Sequence, residues 1–389
     1  MTAQPARPVA PLPDAAIERA LLPFGSSRML PAEAYLSAAV LAWERRHFFA
    51  GAWTCVGRLD ELAAPGVTQR GLLVGDVPVL LTLDAGALRA FADTCRHRGH
   101  ELLGAGAGAC AGRSSVVCPY HAWTYRLDGS LHAAPGMRDA GDFRTDEHGL
   151  VPLPVEVWHG WVLVNATGDA APLPDHLGAV AGLVAPYQPE RLVRAATHAY
   201  DVAANWKVVC ENYHECYHCA LIHPELCRVS PPASGDNYDL PGAWVGGSMR
   251  LREGARTMSL DGQGSAPPLP GVPDGEVRYL GLLPNLLLSL HPDYVMAHQL
   301  EPLGPAATRV ACSWYFAPEA VARPGFDPSY AVDFWDLTNR QDWAACESVQ
   351  RGLASPHYLP GPLAPSEDAV HRFVTKIARG YRGAPLHVD

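Results

Sequence analysis

Four candidate metal ligands lie in two short segments of the first half of the chain. The segments "CRHRGH" and "CPYHAWTY" contain Cys95, His97, Cys118 and His121, so each segment supplies one thiolate and one imidazole. Two thiolates and two imidazoles at the tips of loops can hold either a tetrahedral zinc ion or an iron–sulfur cluster. The ligand types alone leave both metals open.

The order of these ligands favours the cluster. Zinc-finger spacing usually pairs Cys with Cys and His with His, whereas here C-x-H is followed, after twenty residues, by C-x-x-H. This mixed order is typical of a Rieske [2Fe–2S] centre, in which two Cys bind one iron and two His bind the other. Gly99 and Pro119 allow tight loops whose amide groups can point at sulfide. Structural zinc is the alternative, and it predicts a colourless protein without an EPR signal in the reduced state.

A second dense group of candidate ligands is the segment "CENYHECYHCALIHPEL". Its residues His218 and His223 are five positions apart, and on a regular helix such positions point about 140° away from each other. Both can bind one ion only if the helix is distorted, and Pro224 is consistent with a helix that ends or bulges there. The alternative is that each is an ordinary core histidine.

A carboxylate from a later helix supplies the third candidate ligand. A helix predicted at 329–353 has one apolar face on which Asp342 is the only charged residue. A carboxylate in the middle of a buried face needs a partner, and a metal ion would be such a partner. Two His and one carboxylate form the facial triad of non-haem Fe(II) oxygenases, which leaves positions for O₂ and substrate. The other residues of this face are Ala331, Trp335, Thr338, Ala345, Cys346, Val349 and Leu353.

The cysteines around the histidine pair receive a different prediction. Thiolates at Cys210, Cys216 and Cys219 would compete for iron and invite oxidation, so we expect all three to face the core as small apolar residues. Ten cysteines in a chain without a recognisable secretion signal indicate thiols or metal ligands rather than a disulfide framework. His214 is left as polar lining without an assigned role.

The elements that must position these residues change in type along the chain. Short β-rich runs separated by Gly, Asp and Pro predict a small all-β domain between Trp53 and about Val164. The remainder mixes helix and strand, so the predicted class is α+β. The predicted helices are 31–53, 205–220 and 329–353, the predicted strands are 277–290, 293–302 and 308–317, and a loop is predicted at 230–276. The predicted domains are an arm and helix at 1–47 that packs with the catalytic domain, a Rieske domain at 48–167 and a catalytic domain at 168–389.

Charge and hydropathy limit the possible partners. The net charge is −10 with His neutral and no Lys/Arg-rich run occurs, which argues against nucleic acid and anionic membranes as partners. The N-terminus lacks a secretion signal, and no stretch approaches the roughly 18 apolar residues of a membrane span. We therefore expect a soluble cytoplasmic protein.

The Rieske spacing followed by "NWKVVCENYHECYHCALIH" resembles the oxygenase (α) subunits of Rieske non-haem iron oxygenases, over nearly the whole chain. The resemblance implies a catalytic domain with a helix-grip, START-like fold and a head-to-tail homotrimer, in which the cluster of one subunit passes electrons to the iron of its neighbour. It also implies a separate flavin and iron–sulfur reductase that uses NADH or NADPH. Carried over to this sequence, the cluster ligands are Cys95, His97, Cys118 and His121, and the iron ligands are His218, His223 and Asp342.

One position departs from the usual wording of that family. Most members have Asp three residues before the first iron-binding His, where it bridges a cluster His and an iron His across the subunit interface. Here the position is Glu215. We expect Glu215 to form this bridge, because a carboxylate between two imidazoles fixes their tautomers. The alternative is an exposed helical Glu.

The segments "ECYHC" and "QDWAACESVQRGLAS" are similar to the branch that acts on glycine betaine, stachydrine, carnitine and choline. This similarity implies hydroxylation of an N-methyl group, with release of formaldehyde. A quaternary ammonium has no N–H with which to donate a hydrogen bond and must be recognised by aromatic faces. Trp244 is the best placed, because "PGAWVGGSM" reads as a lid over the site. All the aromatic candidates are Tyr238, Trp244, Tyr279, Tyr294 and Trp314. The alternatives are hydroxylation of an aromatic or alicyclic substrate and a role in electron transfer alone.

Overall fold

A computed structural model describes residues 7–105 and 108–388 of the chain. The strands are β1 (Thr54–Arg58), β2 (Val67–Val74), β3 (Val77–Asp84), β4 (Ala87–Ala92), β5 (Ala109–Ala111), β6 (Ser115–Val117), β7 (Thr124–Arg126), β8 (Leu131–Ala133), β9 (Pro152–Leu153), β10 (Val155–Trp158), β11 (Trp161–Val164), β12 (Val193–Val202), β13 (Asp236–Asn237), β14 (Trp244–Arg250), β15 (Glu276–Leu282), β16 (Leu286–Leu290), β17 (Tyr294–Gly304) and β18 (Ala307–Phe316). The α-helices are α1 (Asp14–Glu18), α2 (Ala32–Leu36), α3 (Ala38–Glu44), α4 (Leu59–Leu62), α5 (Leu173–Leu177), α6 (Val180–Val184), α7 (Trp206–Tyr213), α8 (Cys219–Ile222), α9 (Pro224–Val229), α10 (Pro318–Val321), α11 (Ser329–Leu353) and α12 (Asp368–Tyr381).

The described residues form two compact units. The first contains residues 44–105 and 108–173, and the second contains residues 7–43 and 174–388. Each unit has its own β-sheet system, and the helices belong mainly to the second. This mixture of helix and sheet confirms the predicted α+β class. Within the described ranges, no helix is both long enough and apolar enough to cross a lipid bilayer.

The first unit consists of three antiparallel sheets. A five-stranded sheet has the order β5-β2-β3-β4-β9, and two three-stranded sheets have the orders β1-β11-β10 and β6-β7-β8. The central strand β3 has side chains buried on both faces: Val79 and Leu81 belong to one hydrophobic cluster, and Leu80 belongs to another that contains Trp123 and Tyr125. Because successive side chains of a strand point to opposite faces of the sheet, β3 contributes to two hydrophobic cores. The second core surrounds the candidate cluster ligands.

The second unit is built around one seven-stranded antiparallel sheet with the order β12-β18-β17-β16-β15-β14-β13. Helix α11 packs with α7 and β12, and α12 packs with α7 and β14. The bounds of α11 are those predicted from its apolar periodicity. Helix α12 was not predicted, although Val370, Phe373, Val374 and Ile377 lie on its buried side.

Two predicted helices are shorter than expected. The segment 31–53 breaks at Ser37, whose side chain accepts a hydrogen bond from Val40 N, and then continues as α3 and a π-helical turn at Arg45–Phe49. Helix α7 begins after the cap Asn205, whose side chain accepts from Lys207 N, and ends at Tyr213 rather than at 220.

The predicted strand at 277–290 is in fact the pair β15 and β16, which are joined by a turn at residues 283–285. The predicted loop at 230–276 contains the strands β13 and β14. The strands predicted at 293–302 and 308–317 correspond to β17 and β18.

Candidate metal centres and substrate cavity

The loop after β4 presents Cys95 through a network of backbone hydrogen bonds. Gly99 N donates to Cys95 O at 3.0 Å, and Cys95 N donates to His100 O at 2.8 Å. Gly99 has φ +73°, a left-handed conformation that favours glycine. The buried Asp93 carboxylate accepts hydrogen bonds from the backbone amides of residues 102, 103 and 104, which closes the loop. The loop shape is therefore fixed by the protein itself.

The loop between β6 and β7 has a matching turn. Cys118 N donates to Trp123 O at 2.8 Å, and Ala122 N donates to Cys118 O at 3.0 Å. The His97 ring stacks on Trp123 with centroids 4.9 Å apart, and it lies 4.7 Å from the His121 ring in an edge-to-face arrangement. The structure thus brings the four predicted cluster ligands together from two loops.

The four side chains suit a metal cluster. Cys95 and Cys118 are only 3% and 2% exposed, whereas His121 is exposed. Burial, together with the neighbouring Cys95 thiol, raises the pKa of Cys118. Two adjacent buried thiols ionise readily only when a metal takes up the charge. His97 Nδ1 is buried without a hydrogen-bond partner among the described residues, as expected for an atom that binds a metal.

The second candidate centre lies in the second unit, where His218, His223 and Asp342 converge. His218 Nε2 and His223 Nε2 are 3.1 Å apart, and Asp342 Oδ1 is 3.3 Å from the first and 2.9 Å from the second. Ligands bound to one metal at about 2.1 Å and at right angles are separated by about 3 Å. The three atoms therefore have the spacing of one face of an octahedron. No other group of three or more His, Cys, Asp or Glu in the described chain has comparable ligand atoms.

The helix is interrupted between α7 and α8, and this interruption allows the three side chains to converge. After Tyr213 the backbone leaves the helix, and the Glu215 carboxylate accepts hydrogen bonds from the backbone amides of Tyr217 and His218. These side-chain hydrogen bonds replace the helical ones that the two amides would otherwise make. His218 and His223 then flank the single turn of α8. The distortion required by the five-residue spacing is present.

Each imidazole is oriented from its far side. His218 Nδ1 donates to Glu215 Oε1, and His223 Nδ1 donates to Gln341 Oε1 at 2.7 Å. With Nδ1 protonated in both rings, each Nε2 directs a lone pair toward the position between the ligands. The residues present therefore fit a bound metal ion. Gln341, which precedes Asp342 on α11, was not predicted, because no pattern in the sequence distinguishes it from an ordinary helical Gln.

The charges of the three candidate iron ligands interact strongly when no metal is bound. Burial alone would lower the pKa of His218, but hydrogen bonds to Asp342 and Glu215 outweigh it and raise the pKa to about 9. Burial alone would raise the pKa of Asp342, but hydrogen bonds from His218 and His223 hold it below its usual value. A metal ion that binds below about pH 9 must displace a proton from His218.

The prediction for the three cysteines is right for Cys210 and wrong for Cys216, whereas Cys219 is buried as predicted but is not a free thiol. Cys210 is fully buried as expected, but Cys216 and Cys219 form a disulfide, and Cys216 is only half-buried. The irregular turn between α7 and α8 brings the two Cα atoms to 4.9 Å, which is within bonding range. A regular helix was expected here, and it would have pointed these side chains differently.

His214 lies behind the iron-binding loop. Its ring nitrogens face the carbonyl oxygens of Cys210 and Val245, and burial lowers its pKa to about 4, so that the ring is neutral. Gly281 of β15 lies so close that a Cβ at this position would overlap the His214 ring. The sheet therefore packs directly against the His214 ring at Gly281, with no room for a side chain there.

A cavity of about 680 Å³ reaches the three candidate iron ligands. Its volume is in the range of sites for small molecules. Four carboxylate residues line it, and several aromatic rings form its walls. The carboxylates are those of Glu215, Asp236, Asp342 and Asp368, and the large aromatic residues are Tyr213, Tyr217, Tyr279, Trp335 and Trp343.

Of the five predicted aromatic residues, only Tyr279 lines this cavity. Trp244 is buried and donates Nε1–H to Pro241 O within its own turn. Tyr294 donates to Met258 O and accepts from Trp335 Nε1. Neither these two residues nor the remaining two line this cavity. The remaining two are Tyr238, whose ring lies 6.2 Å from that of Trp244, and Trp314, whose buried ring lies 5.2 Å from that of His198.

The two units match two known families. The Rieske [2Fe-2S] domain model matches residues 52–152, and the model of the ring hydroxylating alpha subunit catalytic domain matches residues 189–383. The chain belongs to the Rieske non-haem iron oxygenases. Like other members of that family, this oxygenase carries a [2Fe–2S] cluster and a mononuclear iron, which confirms the predicted enzyme class and cofactors.

Curated relatives of this Rieske oxygenase act on quaternary ammonium compounds. The glycine betaine monooxygenase oxygenase subunit of Chromohalobacter salexigens is 33% identical over 368 residues, which cover 86% of this chain and 81% of the relative. The carnitine monooxygenase oxygenase subunit of Escherichia coli K12 is 35% identical over 337 residues, which cover 85% of each. These similarities place the protein in the quaternary ammonium branch.

Solved structures agree with the fold of this Rieske oxygenase. A quaternary ammonium Rieske monooxygenase has a TM-score of 0.75 at 26% identity and covers 96% of this chain and 100% of its own. Naphthalene 1,2-dioxygenase from Rhodococcus sp. has a TM-score of 0.73 at 18% identity, over 95% and 97% of the two chains. The second likeness concerns the fold alone.

Proposed function

We propose that this Rieske oxygenase hydroxylates an N-methyl group of a small quaternary ammonium or methylated amine compound. The observation that carries the proposal is the cavity of about 680 Å³ in which aromatic rings and carboxylates adjoin His218, His223 and Asp342. Aromatic faces attract a cation that cannot be hydrogen-bonded, and carboxylates add a negative potential. A neutral aromatic or alicyclic substrate, which is the alternative, has no use for either charge effect.

The proposed reaction consumes one O₂, two electrons and two protons. One oxygen atom enters a C–H bond of the N-methyl group, which gives an N-hydroxymethyl compound, and the other leaves as water. The N-hydroxymethyl compound then loses a proton from its hydroxyl group, and the C–N bond breaks with both electrons going to nitrogen. The products are formaldehyde and the demethylated amine.

The residues proposed to hold the mononuclear iron are His218, His223 and Asp342. Three protein ligands on one face leave the cavity side for O₂ and substrate, and the bound iron supplies O₂ activation. Glu215 and Gln341 keep both imidazoles in the tautomer that can bind it. The residues proposed to hold the cluster are Cys95, His97, Cys118 and His121.

Electron delivery is proposed to cross a subunit interface. In this proposal Glu215, already bonded to His218, also accepts a hydrogen bond from a cluster histidine of the neighbouring subunit in a homotrimer. A separate flavin and iron–sulfur reductase supplies electrons from NADH or NADPH, and the system works in the cytoplasm. The domain limits proposed for this arrangement are 1–47, 48–167 and 168–389.

The test is substrate-dependent O₂ uptake with a surrogate reductase. Betaines, carnitine, choline and simple aromatic compounds are compared, and formaldehyde is measured in parallel. We expect O₂ uptake and stoichiometric formaldehyde with at least one N-methyl cation. Hydroxylated ring products without formaldehyde would establish the alternative substrate class. An iron content of three per chain is expected, whereas two would leave a protein that only transfers electrons.

A further inference from the structure

Three residues that line the cavity carry a buried polar atom without a hydrogen-bond partner among the described residues. These atoms are Tyr279 Oη, His298 Nδ1 and Trp343 Nε1. Buried polar groups in native proteins are nearly always paired, so three unpaired atoms around one cavity require a reason. A ligand that supplies the missing bonds is such a reason.

The three residues belong to one chain of ring contacts, which includes Tyr213, another residue that lines the cavity. The Tyr213 ring lies 6.1 Å from the Tyr279 ring and 6.1 Å from the His298 ring, and the His298 ring lies 6.2 Å from that of Trp343. Trp343 follows the candidate iron ligand Asp342 on α11. A single small molecule can therefore face these residues and the iron site at the same time.

The hydrogen-bonding capacity of these three residues can be assigned. His298 Nε2 lies 3.2 Å from Asn339 Oδ1 and donates to it, and burial lowers the His298 pKa to about 4. The neutral ring therefore offers Nδ1 as an acceptor. Trp343 Nε1 is only a donor, and the Tyr279 hydroxyl can both donate and accept. The complementary ligand group both gives and receives a hydrogen bond.

We infer that Tyr279, His298 and Trp343 bind a hydroxyl group of the substrate, and that the substrate is a methylated ammonium alcohol. This inference rests on the proposed N-methyl hydroxylation and narrows its substrate class. A hydroxyl donates to His298 and accepts from Trp343, whereas a carboxylate has no hydrogen to offer His298. A carboxylate would also be repelled by Asp236 and Asp368, the two lining carboxylates that the proposed iron site does not use. Among the described lining residues, none is Lys or Arg.

The decisive comparison uses two cations of nearly equal shape. Ethyltrimethylammonium and (2-hydroxyethyl)trimethylammonium differ by one hydroxyl, and carboxymethyltrimethylammonium carries a carboxylate instead. Their dissociation constants are measured by calorimetry on the anaerobic holoenzyme. We expect the hydroxyl compound to bind at least about tenfold more tightly than the ethyl compound, and the carboxylate compound to bind most weakly.

Two tyrosine variants separate recognition from folding. Tyr279→Phe removes a hydroxyl that has no partner in the free protein, so the melting temperature should not fall, while the hydroxyl-to-ethyl affinity ratio should drop several-fold. Tyr213→Phe is the matched control, because its hydroxyl pairs with Ser289 Oγ at 3.0 Å. That variant should lower the melting temperature and leave the ratio unchanged.

The outcomes distinguish this inference from the proposed function. A ratio near one, tightest binding of the carboxylate compound, or a ratio that Tyr279→Phe leaves intact would overturn the inference. Formaldehyde from any of the three cations would then still uphold N-methyl hydroxylation. Absence of formaldehyde with all three cations, together with oxidation of simple aromatic rings, would overturn the proposed function itself.

Discussion

The two candidate metal centres are built in contrasting ways. The cluster site takes all its candidate ligands from two adjacent loops between positions 95 and 121, and its histidines reach the surface. The iron site joins His218 and His223 to Asp342, which lies more than a hundred residues later, and His223 is 1% exposed. The first is a local motif and the second is a product of the tertiary fold. Changes should therefore affect the two centres separately.

The largest expected difference between the effects on the two metal centres comes from Asp342→Ala. It removes one of three protein ligands and should lower turnover by more than about a thousandfold, because two imidazoles alone hold the metal weakly. Iron per chain should fall from three to two, while the visible and EPR spectra of the cluster persist. Retention of the third iron with full turnover would exclude the proposed site.

A smaller effect is expected from Glu215→Gln. The change keeps the shape of the side chain but removes the charge that faces His218, so turnover should fall by about a hundredfold while both metal centres remain loaded. Glu215→Asp is the control, because it retains the carboxylate, and it should recover most of the activity. Equal activity of the Gln variant and the native protein would contradict the bridging role.

Acid should destabilise the second unit before the first. Burial lowers the pKa of His176 to about 3 and that of His214 to about 4, so both stay neutral when folded but gain a proton on unfolding below about pH 6.5. Their stabilisation is fully present above pH 6.5 and is lost as the pH falls toward 4. Each should cost about 2 kcal/mol of unfolding free energy at pH 5.

Urea denaturation monitored between pH 7 and pH 5 tests this order. None of the histidines described in the first unit is fully buried. The cluster absorbance should therefore persist after the second unit has lost its near-UV circular dichroism. Loss of both signals at one pH, or of the cluster first, would count against the difference in histidine burial as the cause.

The smallest expected effect is that of Gln341→Leu. His223 loses the acceptor that orients its ring, so the affinity for Fe(II), measured by chelator competition, should fall by about tenfold. The cluster spectrum should not change. Gln341→Glu retains an acceptor and should keep the affinity close to that of the native protein. An unchanged affinity in the Leu variant would show that the ring needs no such support.

The contrast also explains what the sequence could predict. Ligand order was enough to propose the cluster residues, and the apolar periodicity of α11 was enough to single out Asp342. The aromatic lining could not be found in this way, because the hydrogen bonds and cavity contacts that distinguish Tyr279 from Trp244 and Tyr294 form only in the folded sheet. The disulfide was missed because it depends on α7 ending at Tyr213, whereas the sequence predicted that the helix continues to 220.

Gly281 gives this architecture an unexpected sensitivity. The residue touches neither metal nor substrate, yet any larger side chain there must push aside the His214 ring, which is anchored to the Cys210 carbonyl of the helix that leads into the histidine pair. A single methyl group added at position 281 would thus displace the His214 ring, and the displacement would reach the ligands through α7. The geometry of the metal site therefore depends on a residue without a side chain at position 281.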